Sequence, residues 1–269
     1  VSLIVRGLTH IYVRNECGGG NQMIQTEYTD KFVAFIDVLG FSDIINQTID
    51  ENISHIQTFN QHISHVLEII KVEYERMFSI RMFSDCICVS CKKDTHDLQY
   101  LLTELSYVQL YFSTNGIFIR GGLSQGPHFE NENIIYSKGL IKAYELEKQA
   151  TYPRILIENE LAESLRNADP EFIMKSPDGR YFLDYLDFLY QEGMEQEEFL
   201  QFHKESIINQ INHNLHNPVI LDKYKWVSEY HNNKFREFFS KDDYFEDPYI
   251  EMENKLLIKI EEVFPKFEK

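Results

Sequence analysis

The chain has 269 residues and a mass of 32.0 kDa, with 43% apolar and 14% aromatic residues, 7 Pro and 12 Gly. That is room for one large domain, or a medium one with an appendage, at about 100–200 residues per domain, and the composition excludes a disordered or fibrous chain. Lys and Arg number 26 against 43 Asp and Glu, a net charge of -17 and a pI of about 5.0, which argues against nucleic acid as a partner because phosphate binding relies on clustered basic residues. No apolar run reaches the roughly 18 residues of a membrane span and no signal-peptide order opens the chain, so a soluble cytoplasmic protein without membrane association is expected.

In chain order, residues 1–22 differ from the remainder of the chain: Gly18, Gly19 and Gly20 stand just before Met23. Glycine codons begin with two G bases, so this run reads as a translated ribosome-binding site, with Met23 the natural start and 1–22 a start-site error; the alternative is a real flexible arm. From Lys31 to Gly40 a largely apolar run, interrupted by Asp37, predicts a central strand buried on both faces. Ser42 then reads as a helix cap, and Ile53, Ile56, Ile63, Val66 and Ile70 carry helical spacing. Phe78–Phe83 and Cys86–Ser90 read as a hairpin turning at Ser84 and Asp85. A helix through Leu98–Val108, a strand over Gly116–Ser124, a helix over Lys138–Gln149 and a strand over Arg154–Ile157 entering a helix at Leu161 complete an α/β (α+β) sheet with helices packed on it. After about Tyr190 the chain turns acidic and then helical to its end, a C-terminal helical extension.

Asp37 is the first residue to suggest chemistry, because a carboxylate within an apolar strand is costly to bury without a cation or strong donors. Asp85, at the hairpin tip, would come close to it, and two like charges at short range suit a shared divalent metal. Equally, either residue could cap a turn or pair with Arg81 or Arg120. Gly40, Phe41 and Ser42 form a glycine followed by a helix start, where backbone N–H groups suit phosphate oxygens. Cys17, Cys86, Cys88 and Cys91 match no usual zinc spacing and read as reduced thiols. His55, His62 and His65 read as a solvated helix side.

In this order the residues resemble a family. Phe35 to Ser42 is similar to the motif that opens class III nucleotidyl cyclase domains, Arg81 to Cys86 to their second metal motif, Arg120 to Gly126 to their glycine-containing strand, and Tyr136 to Glu147 to the helix after it. The resemblance implies a cyclase domain over 23–190 and an extension over 191–269. It implies two ions, Mn2+ or Mg2+, held by Asp37 and Asp85 with the Val38 carbonyl. Nucleoside triphosphate would be bound by Phe35, Gly40, Phe41, Ser42, Arg81 and Tyr136, with Arg120 joining Asp37 and Asp85 in catalysis. The 3′-hydroxyl would then attack the α-phosphate across a head-to-tail homodimer.

Two departures stand out. The family's helix carries an Asn and an Arg where this chain has Ile141 and Glu145, so either the copy is inactive or another cation serves, from Arg120, Lys138, Lys142, Lys223 or Lys225. Arg81 and Tyr136 replace the purine-selecting residues. The helix pattern and the Lys-Tyr-Lys-Trp of the tail resemble the pyrimidine cyclases of bacterial Pycsar antiphage systems. That implies a product of cyclic UMP, or less favourably cyclic CMP, sensed by a separate effector protein. A nucleotide-binding sensor without turnover and a purine cyclase are the alternatives.

Overall fold

The computed structural model describes residues 10–11, 24–25, 27–42, 45, 54–74, 77–191, 194–239 and 246–264. Cys17, the triple glycine, Met23, Ile53 and most of the 1–22 stretch lie outside these. His10–Ile11 (β1) pairs antiparallel with Ile24–Gln25 (β2).

The main sheet is ordered β4 (Ser79–Phe83), β5 (Cys86–Lys92), β3 (Thr29–Val38), β6 (Ile119–Glu130), β8 (Ile155–Ile157), β10 (Tyr181–Leu183) and β9 (Ile173–Lys175), with β7 (Ile135–Ser137) pairing the far end of β6. As the apolar run suggests, β3 is central: Val33, Ala34, Phe35 and Ile36 are all buried. Alternate residues divide its two faces. Phe32, Ala34, Ile36 and Val38 enter one core with α1 (Ser54–Tyr74) and α2 (Thr95–Thr114). A side chain as fully buried there as Leu101 or Leu102 contributes about 1.5–3 kcal/mol. Lys31, Val33, Phe35 and Asp37 point the other way, and α3 (Lys138–Gln149) lies over that face, capped by Ser137, whose hydroxyl accepts from the Leu140 N–H at 2.9 Å. Its approach to β6 depends on glycine, since a Cβ at Gly122 would stand 2.2 Å from the Ala143 carbonyl oxygen.

After α4 (Asn159–Ala168) and the short α5 (Phe188–Gln191) come α6 (Gln196–His213), α7 (Pro218–Phe238), α8 (Glu246–Leu256) and α9 (Ile260–Val263). These helices share cores with the sheet region: Tyr230 and Phe235 pack with Leu156 and Phe182, and Leu221 and Tyr224 with Phe118. Arg154, only 1% exposed, ties the two parts together. Its guanidinium lies 5.3 Å from the rings of Tyr152 and Trp226, and it pairs with Asp178. Among the described residues no helix is long and apolar enough to cross a membrane.

Two local expectations change. Helical backbone begins at Phe41, so Ser42 lies inside the first turn instead of capping it. The strand expected over Gly116–Ser124 starts at Ile119 and runs on to Glu130, carried by its ladder with β3 to His128 and by β7 beyond. The three-residue strands β7, β9 and β10 are too short to leave a period in the sequence.

Candidate active site

The β4–β5 hairpin turns through Ser84, in the left-handed region at φ 56°, and the turn brings Asp85 back against β3. The Val38 N–H donates to the Asp85 carbonyl at 3.2 Å, while Asp37 pairs with Cys86 across the ladder. One ligand atom from each of Asp37, Asp85 and Cys86 lies within 4.8 Å of the others. The two carboxylates singled out in the sequence are therefore together, at the mouth of the face that α3 covers.

The expected alternative, pairing of Asp37 with Arg120, is also present. Arg120 Nε donates to Asp37 Oδ2 at 3.0 Å and stands 2.8 Å from Glu147 Oε1. The second contact is an ion pair without hydrogen-bond alignment, because the single Nε–H is directed at Asp37 and Oε1 is left without a donor. Glu147 reaches the site because Gly139, Ala143 and Glu147 form the buried stripe of α3. Burial pushes the Asp37 carboxyl above its usual range; Arg120 opposes this and Asp85 adds to it. Glu147 is raised likewise, first by burial, with Arg120 opposing and Asp37 and Asp85 reinforcing.

Asp37 and Glu147 thus share one guanidinium, with the Asp85 carboxylate beside Asp37, an excess of negative charge that a divalent cation would relieve. The donor set fits a hard ion such as Mg2+ or Mn2+ through Asp37 and Asp85 oxygens. Cys86 is not part of that fit: burial and the charges of Asp85, Asp37 and Glu147 push its thiol up to about 11, so it stays protonated at neutral pH. Arg81, the other expected partner for these carboxylates, is engaged elsewhere.

Arg81 Nε donates to Glu130 Oε1 at 2.8 Å and its terminal nitrogen to the Asn131 carbonyl at 3.0 Å. Burial would raise the Glu130 carboxyl, but hydrogen bonds from His128, Ser79 and Arg81 and the Lys31 charge outweigh it and hold it down at about 2. Tyr136 stacks on its ladder partner Phe129, ring centroids 6.1 Å apart. Phe129 and Glu130 are consecutive and project to opposite faces, so Arg81 and Tyr136 are not brought together within one chain. Phe35 stands one position along the face from Asp37, with Tyr144 edge-on at 5.4 Å and Phe83 at 6.2 Å. Gly40 is in the left-handed region at φ 77°, and the Phe41 ring turns inward onto Phe59 at 5.3 Å, leaving its backbone at the helix start.

Of the candidate cations, Lys142 is tied to Glu158 at 2.6 Å. Lys138 and Lys225 are exposed, as are Ile141 and Glu145, and Lys223 is half-buried. Sequence reasoning assigned no role to Glu147 or Glu130. For Glu147 the signal was present, as an acidic residue four positions beyond Ala143 on the buried stripe.

No protein-family model matches the chain, and no curated protein matches it. Among solved structures the chain is similar to a class III adenylyl cyclase-like ATP-binding protein from Pseudomonas aeruginosa, at 12% identity and a TM-score of 0.47, over 62% of this chain and 41% of that one. It therefore spans about two fifths of that protein's length. It is also similar to the catalytic core of a rhodopsin-guanylyl cyclase with converted specificity in complex with ATPαS, at 16% identity and a TM-score of 0.45, over 58% of this chain and 95% of that one. At this level of likeness, function has to be read from the chain's own side chains.

Proposed function

We propose that the protein is a metal-dependent pyrimidine nucleotide cyclase that converts UTP, or less favourably CTP, to the 3′,5′-cyclic nucleotide and pyrophosphate. One observation carries the reading: Asp37 and Asp85 present carboxylate oxygens within reach of a single ion, beside a glycine and a helix start. They fall in the order of motifs in which the sequence resembles class III cyclases. Bound Mn2+ or Mg2+, held by Asp37, Asp85 and the Val38 carbonyl, would supply charge neutralisation and a lowered pKa for the attacking ribose hydroxyl.

The chain's own groups do the rest. Backbone N–H groups at Gly40, Phe41 and Ser42 receive phosphate oxygens. Arg120 holds Asp37 in register and offers a donor toward the phosphates. Phe35 forms an apolar wall, and Arg81 beside Glu130 presents a donor next to an acceptor, a pairing that suits the edge of a pyrimidine. Phe83, Ile141 and Tyr144 expose apolar surface near the site, at 53%, 58% and 42%, which supports a head-to-tail homodimer with shared sites. In such a dimer, Tyr136 of one copy can approach Arg81 of the other. A cyclic pyrimidine nucleotide made this way would act on a separate effector protein, in the antiphage role that the Pycsar resemblance implies.

A second reading, nucleotide binding without turnover, is favoured by the exposed Glu145 and Ile141 on α3. Incubating the purified protein with each of the four ribonucleoside triphosphates and Mn2+, then separating products, decides between them. Cyclic UMP or cyclic CMP supports the proposal, cyclic AMP or cyclic GMP points to a purine cyclase, and no cyclic product leaves the sensor.

A further inference from the structure

Helix α7 reaches the carboxylate site from the far end of the chain. Leu221 and Tyr224 are buried in the core that holds Phe118, with the Tyr224 ring edge-on to Phe118 at 5.1 Å and Leu39 packed against the same core. The Leu39 N–H donates to the Phe118 carbonyl at 2.9 Å. Leu39 comes two residues after Asp37 and Phe118 precedes Arg120 by two, so α7 seats on the segments that leave one site residue and enter the other.

Lys223 lies between the two anchors Leu221 and Tyr224. It is half-buried, and among the described residues it makes no ion pair. Its ammonium feels both site groups: burial and the Arg120 charge lower its pKa, and Asp37 opposes them. Half-buried and unpaired on a helix that packs against Phe118 and Leu39, each two residues from a site residue, its charge is left for an incoming anion. Asp37, Asp85 and Glu147 offset this charge and that of Arg120, but an anion entering the site would meet Arg120 and Lys223 together. Of the other lysines near this face, Lys142 is committed to Glu158 and Lys31 pairs with Glu130.

We propose that Lys223, carried by the C-terminal helical extension, is a phosphate-binding cation of the carboxylate site that takes the polyphosphate of a nucleoside triphosphate. The ligand class rests on the cyclase reading, and the placement rests on α7 and its anchors.

The test uses the full chain with Mn2+ and inorganic tripolyphosphate as the binding probe in calorimetry, alongside turnover with the four triphosphates. Lys223→Gln and Lys223→Met, the second keeping the apolar stem, should each weaken tripolyphosphate binding about ten- to hundredfold, the scale of one charge-assisted contact. Both should flatten the dependence of affinity on salt. Lys223→Arg should restore binding to within about threefold, and Arg236→Gln, which removes an exposed positive charge from the same helix, should change neither. Melting temperatures show whether each variant is folded. Unchanged binding in both Lys223→Gln and Lys223→Met, or no tripolyphosphate binding by the unaltered protein, overturns the assignment. If the unaltered protein forms no cyclic product but binds tripolyphosphate through Lys223, the cyclase reading falls and the assignment stands. If it turns over and the Lys223 variants match it in binding and rate, the assignment falls and the cyclase reading stands.

Discussion

Asp37 and Arg120 are cross-strand partners in the β3–β6 ladder, and the Arg120 Nε–H donates to Asp37 Oδ2 at 3.0 Å. Without a metal, that guanidinium is the charge that makes Asp37 tolerable in a half-buried position; Glu147 competes with Asp37 for it, and the Asp85 charge opposes both carboxylates. The site therefore stores repulsion that a bound cation would relieve.

Asp85→Asn removes the opposing charge and leaves the Asp37–Arg120 pair intact. The metal-free variant should be more stable than the unaltered protein, by about 0.5–2 kcal/mol as is usual where a functional site is traded for stability. Mn2+ should then raise its melting temperature much less, and turnover should be lost. Scanning calorimetry with and without Mn2+ reads both effects, and a Mn2+ shift as large as in the unaltered protein would remove Asp85 as a ligand. Asp37→Ala should also abolish turnover in a folded protein.

Glu130 organises Arg81, so if Arg81 reads the base as proposed, Glu130 should control base choice. In Glu130→Gln the Arg81 guanidinium loses its charged partner while the Ser79 and His128 contacts at 2.5 and 3.2 Å have a neutral acceptor in place of a carboxylate. The ratio of kcat/KM between pyrimidine and purine triphosphates should change by about tenfold or more, because a site that pairs its polar groups with the base discriminates strongly when one is altered. Arg81→Ala should move the ratio as well. Ratios unchanged in both variants would show that the base is read elsewhere.

Legibility in the sequence tracks locality. Asp37 and Asp85 stand out because each interrupts an apolar stretch, and the helix over Lys138–Gln149 is bounded by its own serine cap and its spacing. Glu130 does not stand out, because Ser79 and Arg81, 51 and 49 residues away, reach it only through the order of the strands in the sheet. Tyr136 could be set beside Arg81 by motif order alone, but the side to which it projects depends on the register of β7 with Phe129. Lys223 and Lys225 look alike in the sequence. In the folded chain Lys223 is half-buried on α7, whereas Lys225 is exposed.

Gly122 tests how α3 delivers Glu147 to Arg120. A methyl group there would stand 2.2 Å from the Ala143 carbonyl oxygen and 2.5 Å from Leu146 Cβ, so the helix must lift from β6. Gly122→Ala should cost about 1–3 kcal/mol, the range for overpacking, seen as a lower urea midpoint with an unchanged m-value. It should also lower turnover even where the protein remains folded. A variant as stable as the unaltered protein would mean that α3 is held off the sheet in solution.

A buried file of polar groups ties α6, α7 and α8 together and so fixes the helix that bears Lys223. His231 Nε2 lies 2.9 Å from the Leu256 carbonyl, His203 Nδ1 lies 3.0 Å from His231 Nδ1, and Tyr185 Oη lies 2.9 Å from His203 Nε2. A carbonyl only accepts, so His231 is protonated at Nε2; its Nδ1 then accepts from His203 Nδ1–H, and His203 Nε2 accepts from the Tyr185 hydroxyl. Every partner is satisfied with both rings neutral. Burial, with a contribution from His231, holds His203 well below its usual range; burial holds His231 down at about 4, with the Leu256 carbonyl opposing and the Lys204 charge adding to it.

Because the folded pKa values lie below the unfolded value near 6.5, the unfolded chain binds more protons as pH falls. The stability from this file is therefore complete above about pH 6.5 and is lost on acidification, by about 1.4 kcal/mol per pH unit for each ring. Asp184, raised by burial to about 6 against the Lys234 charge, works in the opposite sense between there and about pH 4 and offsets part of the loss. His231→Gln, whose amide can still donate to Leu256, should flatten the fall in unfolding free energy between pH 6.5 and 4.5 by up to about 1.4 kcal/mol per unit. Urea titrations at several pH values measure it, and an unchanged slope would show that the histidines are not held neutral by the fold.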